Sequence, residues 1–208
     1  MDQYYRFVSL NSHKKSYPNK DKVRATMCPW DFNQGAKIME FSYIGNNWVG
    51  RIENLINIDN ENGRLAGTNI LFAGDYADEE TDKYSGEKAN VYSLASESGL
   101  DITPETAPEP RHYRYLINKT KKVFFDMDKV KVFHTSTYED GEVCKWQVHP
   151  LPLLCNDGCI GGEPRGGGDY SNKHREVGAW RRNVVVTSDN RPDENEYREV
   201  FYNFYEKW

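Results

Sequence analysis

Runs in which apolar and polar residues alternate are the feature of this sequence that most limits how the chain can fold. A period of two places successive side chains on opposite faces of a strand, so the pattern favours β-sheet over helix. Strands are predicted at residues 5–10, 37–44, 48–58, 68–73, 111–118, 122–126, 132–138, 143–148, 180–187 and 198–205.

Turn-forming residues separate several of these runs. Residues 45–47 and 140–141 each favour a hairpin, and Asn62-Gly63 predicts a tight turn with positive φ. Signals for helix are few: Asn90 can cap a short helix that ends near Gly99, and residues 126–130 fit one turn. We therefore predict an α+β fold, predominantly antiparallel β with few short helices.

The segment 101–110 divides the sequence into two parts. It contains three prolines and several acidic residues, which predicts a connector without regular structure. Hairpin patterns occur on both sides of it, and 208 residues suit one large domain. We predict a single β-rich domain over residues 1–208, with a subdivision at 101–110 as the alternative.

Charge and hydropathy exclude several classes of protein. The chain has 27 Lys and Arg against 32 Asp and Glu, a net charge of −5, which argues against a dedicated binder of duplex DNA or of anionic membranes. No apolar run approaches the roughly 18 residues of a membrane span. The N-terminal residues lack the pattern of a signal peptide, which predicts a cytoplasmic protein.

Aromatic residues are abundant, with 14 Tyr, 9 Phe and 5 Trp. Alternating positions in half-buried strands explain most of them, because Tyr and Trp combine an apolar body with a polar tip. An exposed aromatic sheet face that binds a partner protein is the alternative. Stacking on single-stranded nucleic acid is a weaker third reading, because it needs a basic groove.

The stretch Gly158–Asp169 is half glycine. Successive glycines allow backbone N–H groups to converge on an anion, and a nearby arginine can grip phosphate or carboxylate in a bidentate way. The stretch matches neither the Walker nor the dinucleotide fingerprint, and a flexible surface loop is the alternative. The predicted ligand-binding residues here are Arg165, Gly166, Gly167, Gly168 and Asp169.

Three other residues are predicted to be catalytic. Asp75 and Asp78 follow an apolar strand, where two carboxylates suit an acid–base pair, although Gly-Asp is also ordinary turn chemistry. His149 ends a strand just before the glycine-rich stretch and can serve as a general base or as a structural donor. The apolar run 149–154, which begins with it and contains two prolines, is predicted to be stiff and extended. Lys121 and Lys122 are predicted at the rim as ligand-binding residues, with a solvated hairpin turn as the alternative.

The four cysteines do not predict a metal centre. Cys144, His149, Cys155 and Cys159 are suitable ligand types for zinc, but their spacing is not that of a standard finger or ribbon. Without an export signal the cysteines are expected to be free thiols. We predict no metal, and the sequence identifies no cofactor.

Three stretches resemble a family of uncharacterised bacterial and viral proteins. They are the AGDYAD run at 73–78, the YLINKTKK run at 115–122, and the HPLPLL run at 149–154 that leads into RGGGDY at 165–170. The resemblance implies that these stretches belong to one shared architecture, and it brings no known activity.

The sequence thus leaves two main hypotheses about function. The first is a protein that binds a small molecule, nucleotide or other anion through the glycine-rich loop beside a sheet, and whether it is an enzyme stays open. The second is a non-enzymatic protein-interaction module, for example in conflict between bacteria and viruses, that uses an aromatic-rich sheet face.

Overall fold

The computed structural model describes residues 3–11, 24–83, 85–132, 134–137, 139, 141–158 and 176–204. The strands within these ranges are β1 (Tyr5–Leu10), β2 (Arg24–Met27), β3 (Asn69–Gly74), β4 (Glu80–Thr81), β5 (Lys88–Ala89), β6 (Leu100–Asp101), β7 (Tyr115–Asn118), β8 (Val123–Asp126), β9 (His134–Thr137), β10 (Val143–Trp146), β11 (Asn156–Asp157), β12 (Asn183–Ser188) and β13 (Arg198–Glu199). The α-helices are α1 (Ile38–Phe41), α2 (Asn47–Leu55), α3 (Val91–Ser98) and α4 (Pro150–Leu154).

One nine-stranded sheet organises the molecule. Its strand order is β13-β8-β7-β12-β3-β1-β2-β6, and β11 also pairs with β3. Pairing is mostly antiparallel; the parallel pairs are β2 with β6, β3 with β11 and β8 with β13. The predicted α+β fold, predominantly antiparallel with few short helices, is confirmed. Strands from both sides of the 101–110 segment belong to this sheet.

Apolar residues cover both faces of the sheet. On one face Tyr5 and Phe7 of β1 pack with Phe72 of β3 in the main core, together with residues of α1, α2 and α4. On the other face Val8 packs against α3. All aromatic residues of the sheet's strands are buried, namely Tyr5, Phe7, Phe72, Tyr115, Phe124 and Phe125. The described strands of the nine-stranded sheet therefore carry no exposed aromatic residue, whereas Trp146 of β10, in the separate β9–β10 hairpin, is 39% exposed.

The hairpin predicted from residues 37–44 and 48–58 is wrong, because these residues form α1 and α2. Buried residues at positions 48, 49, 52, 55 and 56 follow the helical period rather than the period of two. Asn46 caps α2 by accepting a hydrogen bond from the Val49 amide at 3.0 Å.

The extended run predicted at 149–154 is also wrong, because it forms α4. Pro150 and Pro152 lie in the first turn of this helix, where backbone N–H groups have no intrahelical acceptor, so both prolines are tolerated. His149 is the N-cap residue.

The structure confirms several other local predictions and shortens or modifies the rest. Strands β1, β3, β7, β8, β12 and the β9–β10 hairpin lie where alternation predicts them. Asn90 caps α3 by accepting from the Ser93 amide at 2.9 Å. The turn at Asn62-Gly63 forms without a positive φ at either residue. At the C-terminal end of the described chain only Arg198–Glu199 are strand. No helix in the described ranges has the length and apolar character needed to cross a membrane.

Candidate active site

Helix α2 carries a glutamate into the interior. Glu53 lies among the buried residues of this helix and has no exposed surface. A buried carboxylate is costly unless other groups supply hydrogen bonds or charge. The partners of Glu53 come from two distant parts of the chain, described next.

The segment that precedes β7 supplies the first partner, His112. This segment crosses α2, with the Arg111 amide donating to the Gly50 carbonyl at 3.1 Å. Nδ1 of His112 forms a short hydrogen bond with Oε2 of Glu53. The Tyr113 amide also approaches Oε1 of Glu53, at 3.5 Å.

His149 is the second partner and is fully buried. As the N-cap of α4 it accepts the Leu151 amide at Nδ1, with an N···N distance of 3.2 Å. An amide can only donate, so Nδ1 carries a lone pair and the ring hydrogen is on Nε2. Nε2 lies 3.2 Å from Oε2 of Glu53, although its N–H direction is not that of a well-aligned hydrogen bond.

These contacts shift two pKa values in opposite directions. Burial tends to raise the pKa of Glu53, but the two histidines beside it hold that pKa below its usual range. The hydrogen bond to Glu53 raises the pKa of His112, against the lowering effect of partial burial. Both shifts favour the charged form of the pair, a carboxylate beside an imidazolium.

A cavity of about 430 Å³ opens beside this cluster. The His112 side chain is 35% exposed there, while Glu53 is hidden behind it. Nε2 of His112 has no hydrogen-bond partner among the residues described. The cavity is lined by Ile44, His112, Tyr113, Arg114, Met127, Asp128, Gln147 and His149.

The cluster also has the compactness of a metal site, because one ligand atom from each of Glu53, His112 and His149 lies within 4.8 Å of the others. Two histidines and a carboxylate are a suitable donor set for zinc. The protonation of His149 does not fit, however. Its Nε2 carries the ring hydrogen while Nδ1 accepts from Leu151, so Nε2 has no lone pair for a metal.

The structure places the residues predicted to be catalytic in different positions. Asp78 lines a separate cavity of about 300 Å³ with Asp157, Arg181 and Arg182, and this cavity shares no lining residue with the one beside His112. Asp75 lines neither cavity. It accepts from the Tyr4 amide at 3.0 Å and joins β1 to the end of β3, and burial raises its pKa.

His149 meets the cluster, but in a role other than the predicted one. Its ring is fully buried and its Nδ1 is engaged by the helix, so it has no exposed nitrogen for a substrate. Its Nε2 faces the Glu53 carboxylate instead. Cys155 is buried, and burial raises its pKa strongly, which describes an inert thiol rather than a metal ligand.

The predicted ligand-binding residues do not meet this cluster within the described chain. Lys121 lies exposed in the turn between β7 and β8. Lys122 pairs with Glu196 and lies over the ring of Tyr197. Arg165, Gly166, Gly167, Gly168 and Asp169, together with Cys159, fall outside the residues the structure describes.

Sequence reasoning missed Glu53 and His112. Glu53 lies within the predicted strand 48–58, and His112 lies 59 residues away from it along the chain. The helical spacing of the apolar residues around Glu53 was the one available signal, because it would have marked a charged residue on the buried face of a helix.

Comparison with protein-family models, with curated proteins and with solved structures found no match. The resemblance to uncharacterised bacterial and viral proteins therefore stays a prediction.

Proposed function

We propose that the protein is a small-molecule hydrolase in which His112 is the general base. The observation that carries the proposal is the hydrogen bond from the partly exposed His112 ring to the fully buried Glu53. A carboxylate that fixes one ring nitrogen leaves the other free to exchange protons with a substrate or a water molecule.

The residue types that line the cavity indicate which group attacks the substrate in the proposed reaction. It contains no Ser, Thr or Cys among the described residues. Water is then the attacking group: His112 Nε2 takes its proton as the oxygen adds to the carbonyl carbon of an ester or amide. The carbon–oxygen or carbon–nitrogen bond breaks, and the same proton passes from His112 to the leaving group.

Arg114 is placed to stabilise the developing oxyanion. Its guanidinium is held by Asp126, with Nε and Nη2 at 3.3 and 3.2 Å from the two carboxylate oxygens. Nη1 has no partner in the described part of the chain. A donor oriented in this way before reaction stabilises negative charge without reorganisation.

The proposal is tested by NMR and by hydrolysis of p-nitrophenyl acetate. In protein labelled at histidine, the pKa of His112 should exceed the value of about 6.5 for a free histidine. Nitrophenolate release should increase as His112 loses its proton. His112→Gln should lower that rate by at least about 100-fold, the usual contribution of a general base.

Lys121→Gln is the matched control, because Lys121 is exposed in the turn between β7 and β8. It should keep the wild-type rate. The proposal fails if His112→Gln hydrolyses the ester as fast as wild type, or if the pKa of His112 is not raised.

A further inference from the structure

We propose that the cavity beside His112 selects substrates that carry a positively charged ammonium group, and that Asp128 determines this specificity. The inference rests on the proposed function, of which it names the substrate class. It departs from the anionic ligand expected from the sequence.

Charge balance is the first argument. Among the described residues that line the cavity, Arg114 is the one with a permanent positive charge, and neighbouring carboxylates already balance that charge. Asp126 contacts it at 3.2 and 3.3 Å, and Asp128 contacts its Nε at 3.0 Å. Two carboxylates around one guanidinium leave a net charge of −1.

The Glu53–His112 pair does not reverse this sign. It is neutral overall when His112 is protonated, and it adds another negative charge when His112 is the free base required by the proposed reaction. Arg191 approaches Asp126 at 3.9 Å, but Glu194 and Glu199 hold its guanidinium. A ligand that already carries a full negative charge therefore meets net repulsion in this cavity, whereas the open Nη1 of Arg114 can still donate to an oxyanion that forms on a neutral or cationic substrate.

Open hydrogen-bond acceptors are the second argument. The Asp128 side chain is 65% exposed at the cavity. Gln147 donates its Nε2 to the Val130 carbonyl at 2.9 Å, which leaves its Oε1 as an acceptor. An ammonium group can donate to both of these acceptors. Ile44 and Met127 form an apolar part of the cavity lining, which suits the carbon part of the substrate.

The test uses three probes of similar size that differ in charge: benzylamine, benzyl alcohol and benzoate. Each is titrated at pH 7.5 into histidine-labelled protein, and the His112 resonances are followed by NMR. Benzylamine should bind at least about tenfold more tightly than benzoate. Asp128→Asn should remove most of this preference, and Asp128→Glu should restore it.

Asp78→Asn is the matched control, because Asp78 lines the other cavity. It should bind benzylamine as wild type does. The inference is overturned if benzoate binds as tightly as benzylamine, if benzylamine leaves His112 unshifted, or if Asp128→Asn keeps the preference.

Failure of this inference is separable from failure of the proposed function. If the pKa of His112 is raised but benzylamine is not preferred, only the proposed substrate class is excluded. An ordinary pKa of His112 removes the hydrolase proposal, whichever probe binds.

Discussion

At the scale of single residues, the Glu53–His112 pair makes folding depend on pH in a defined window. The pKa of His112 is raised in the folded chain, so its stabilising contribution is complete below about pH 6.5 and is lost as the pH rises through the raised value. The pKa of Glu53 is lowered, so its contribution is lost as the pH falls through that lowered value. The pair therefore stabilises the fold most at mildly acidic pH.

Glu53→Gln should lower the free energy of unfolding by about 1–2 kcal/mol at pH 6, the range for a charged hydrogen bond whose exposed partner is screened by solvent. The loss should shrink as the pH rises through the pKa of His112. Urea unfolding at several pH values measures it. Glu109→Gln removes a 90% exposed carboxylate and should show no such window. A loss that stays constant from pH 5 to pH 9 would contradict the assignment.

The same residues show what the sequence could and could not reveal. The position of His149 before a glycine-rich stretch predicts a site residue, and His149 does contact Glu53. Its partner Glu53 could not be found in this way, because their contact depends on how α2 and α4 pack rather than on local pattern. Alternation and turn residues report local conformation, whereas a three-residue cluster is a property of tertiary structure.

At the scale of elements, most strands could be predicted, whereas three of the four described α-helices, α1, α2 and α4, could not. The apolar run around α2 satisfies both periods over a short window, and the turn residues before it suggested a hairpin. Asn46 instead acts as a helix cap. In α4 the two prolines suggested an extended chain, although Pro is also favoured at the first helical position.

Helix α2 depends on a glycine where the segment bearing His112 crosses it. A Cβ atom at Gly50 would lie 3.1 Å from Cε1 of His112 and 3.2 Å from the Arg111 amide nitrogen. Gly50→Ala gains about 1 kcal/mol of helix propensity but pushes the ring away from Glu53. We expect a net change in stability below about 1 kcal/mol, and an NMR pKa of His112 closer to its usual value.

Asn47→Ala provides the control for this substitution, because Asn47 is an exposed residue of the same helix. It should leave the pKa of His112 unchanged. If Gly50→Ala stabilises the protein and keeps the wild-type pKa, then the close approach of helix and segment does not position His112.

At the scale of the whole molecule, strand β3 joins the two parts of the chain. It pairs with β1 on one side and with β11 and β12 on the other, so strands from both sides of the 101–110 segment share it. The sequence predicted hairpins on both sides of that segment, but it could not show that they form one sheet. That outcome depends on non-local pairing, which no turn signal specifies.

Phe72, in the centre of β3, offers a test of whether the two parts of the chain unfold together. Its ring stacks on Phe41 at 6.0 Å and meets Phe7 and Trp48 edge-on at 5.8 and 5.7 Å. Phe72→Ala should cost about 3–5 kcal/mol, the usual range for a buried aromatic residue. Because β3 links both parts, hydrogen exchange in urea should show β1 and β7 losing amide protection together.

Tyr76→Ala is the control, since this side chain is 51% exposed and should change stability by less than about 0.5 kcal/mol. Protection that persists in β7 and β8 after β1 has unfolded would show two independent folding units instead. The site would then depend on docking between units, because Glu53 and His112 lie on opposite sides of the 101–110 segment. Joint loss of protection means that the Glu53–His112 pair forms only when the whole sheet does.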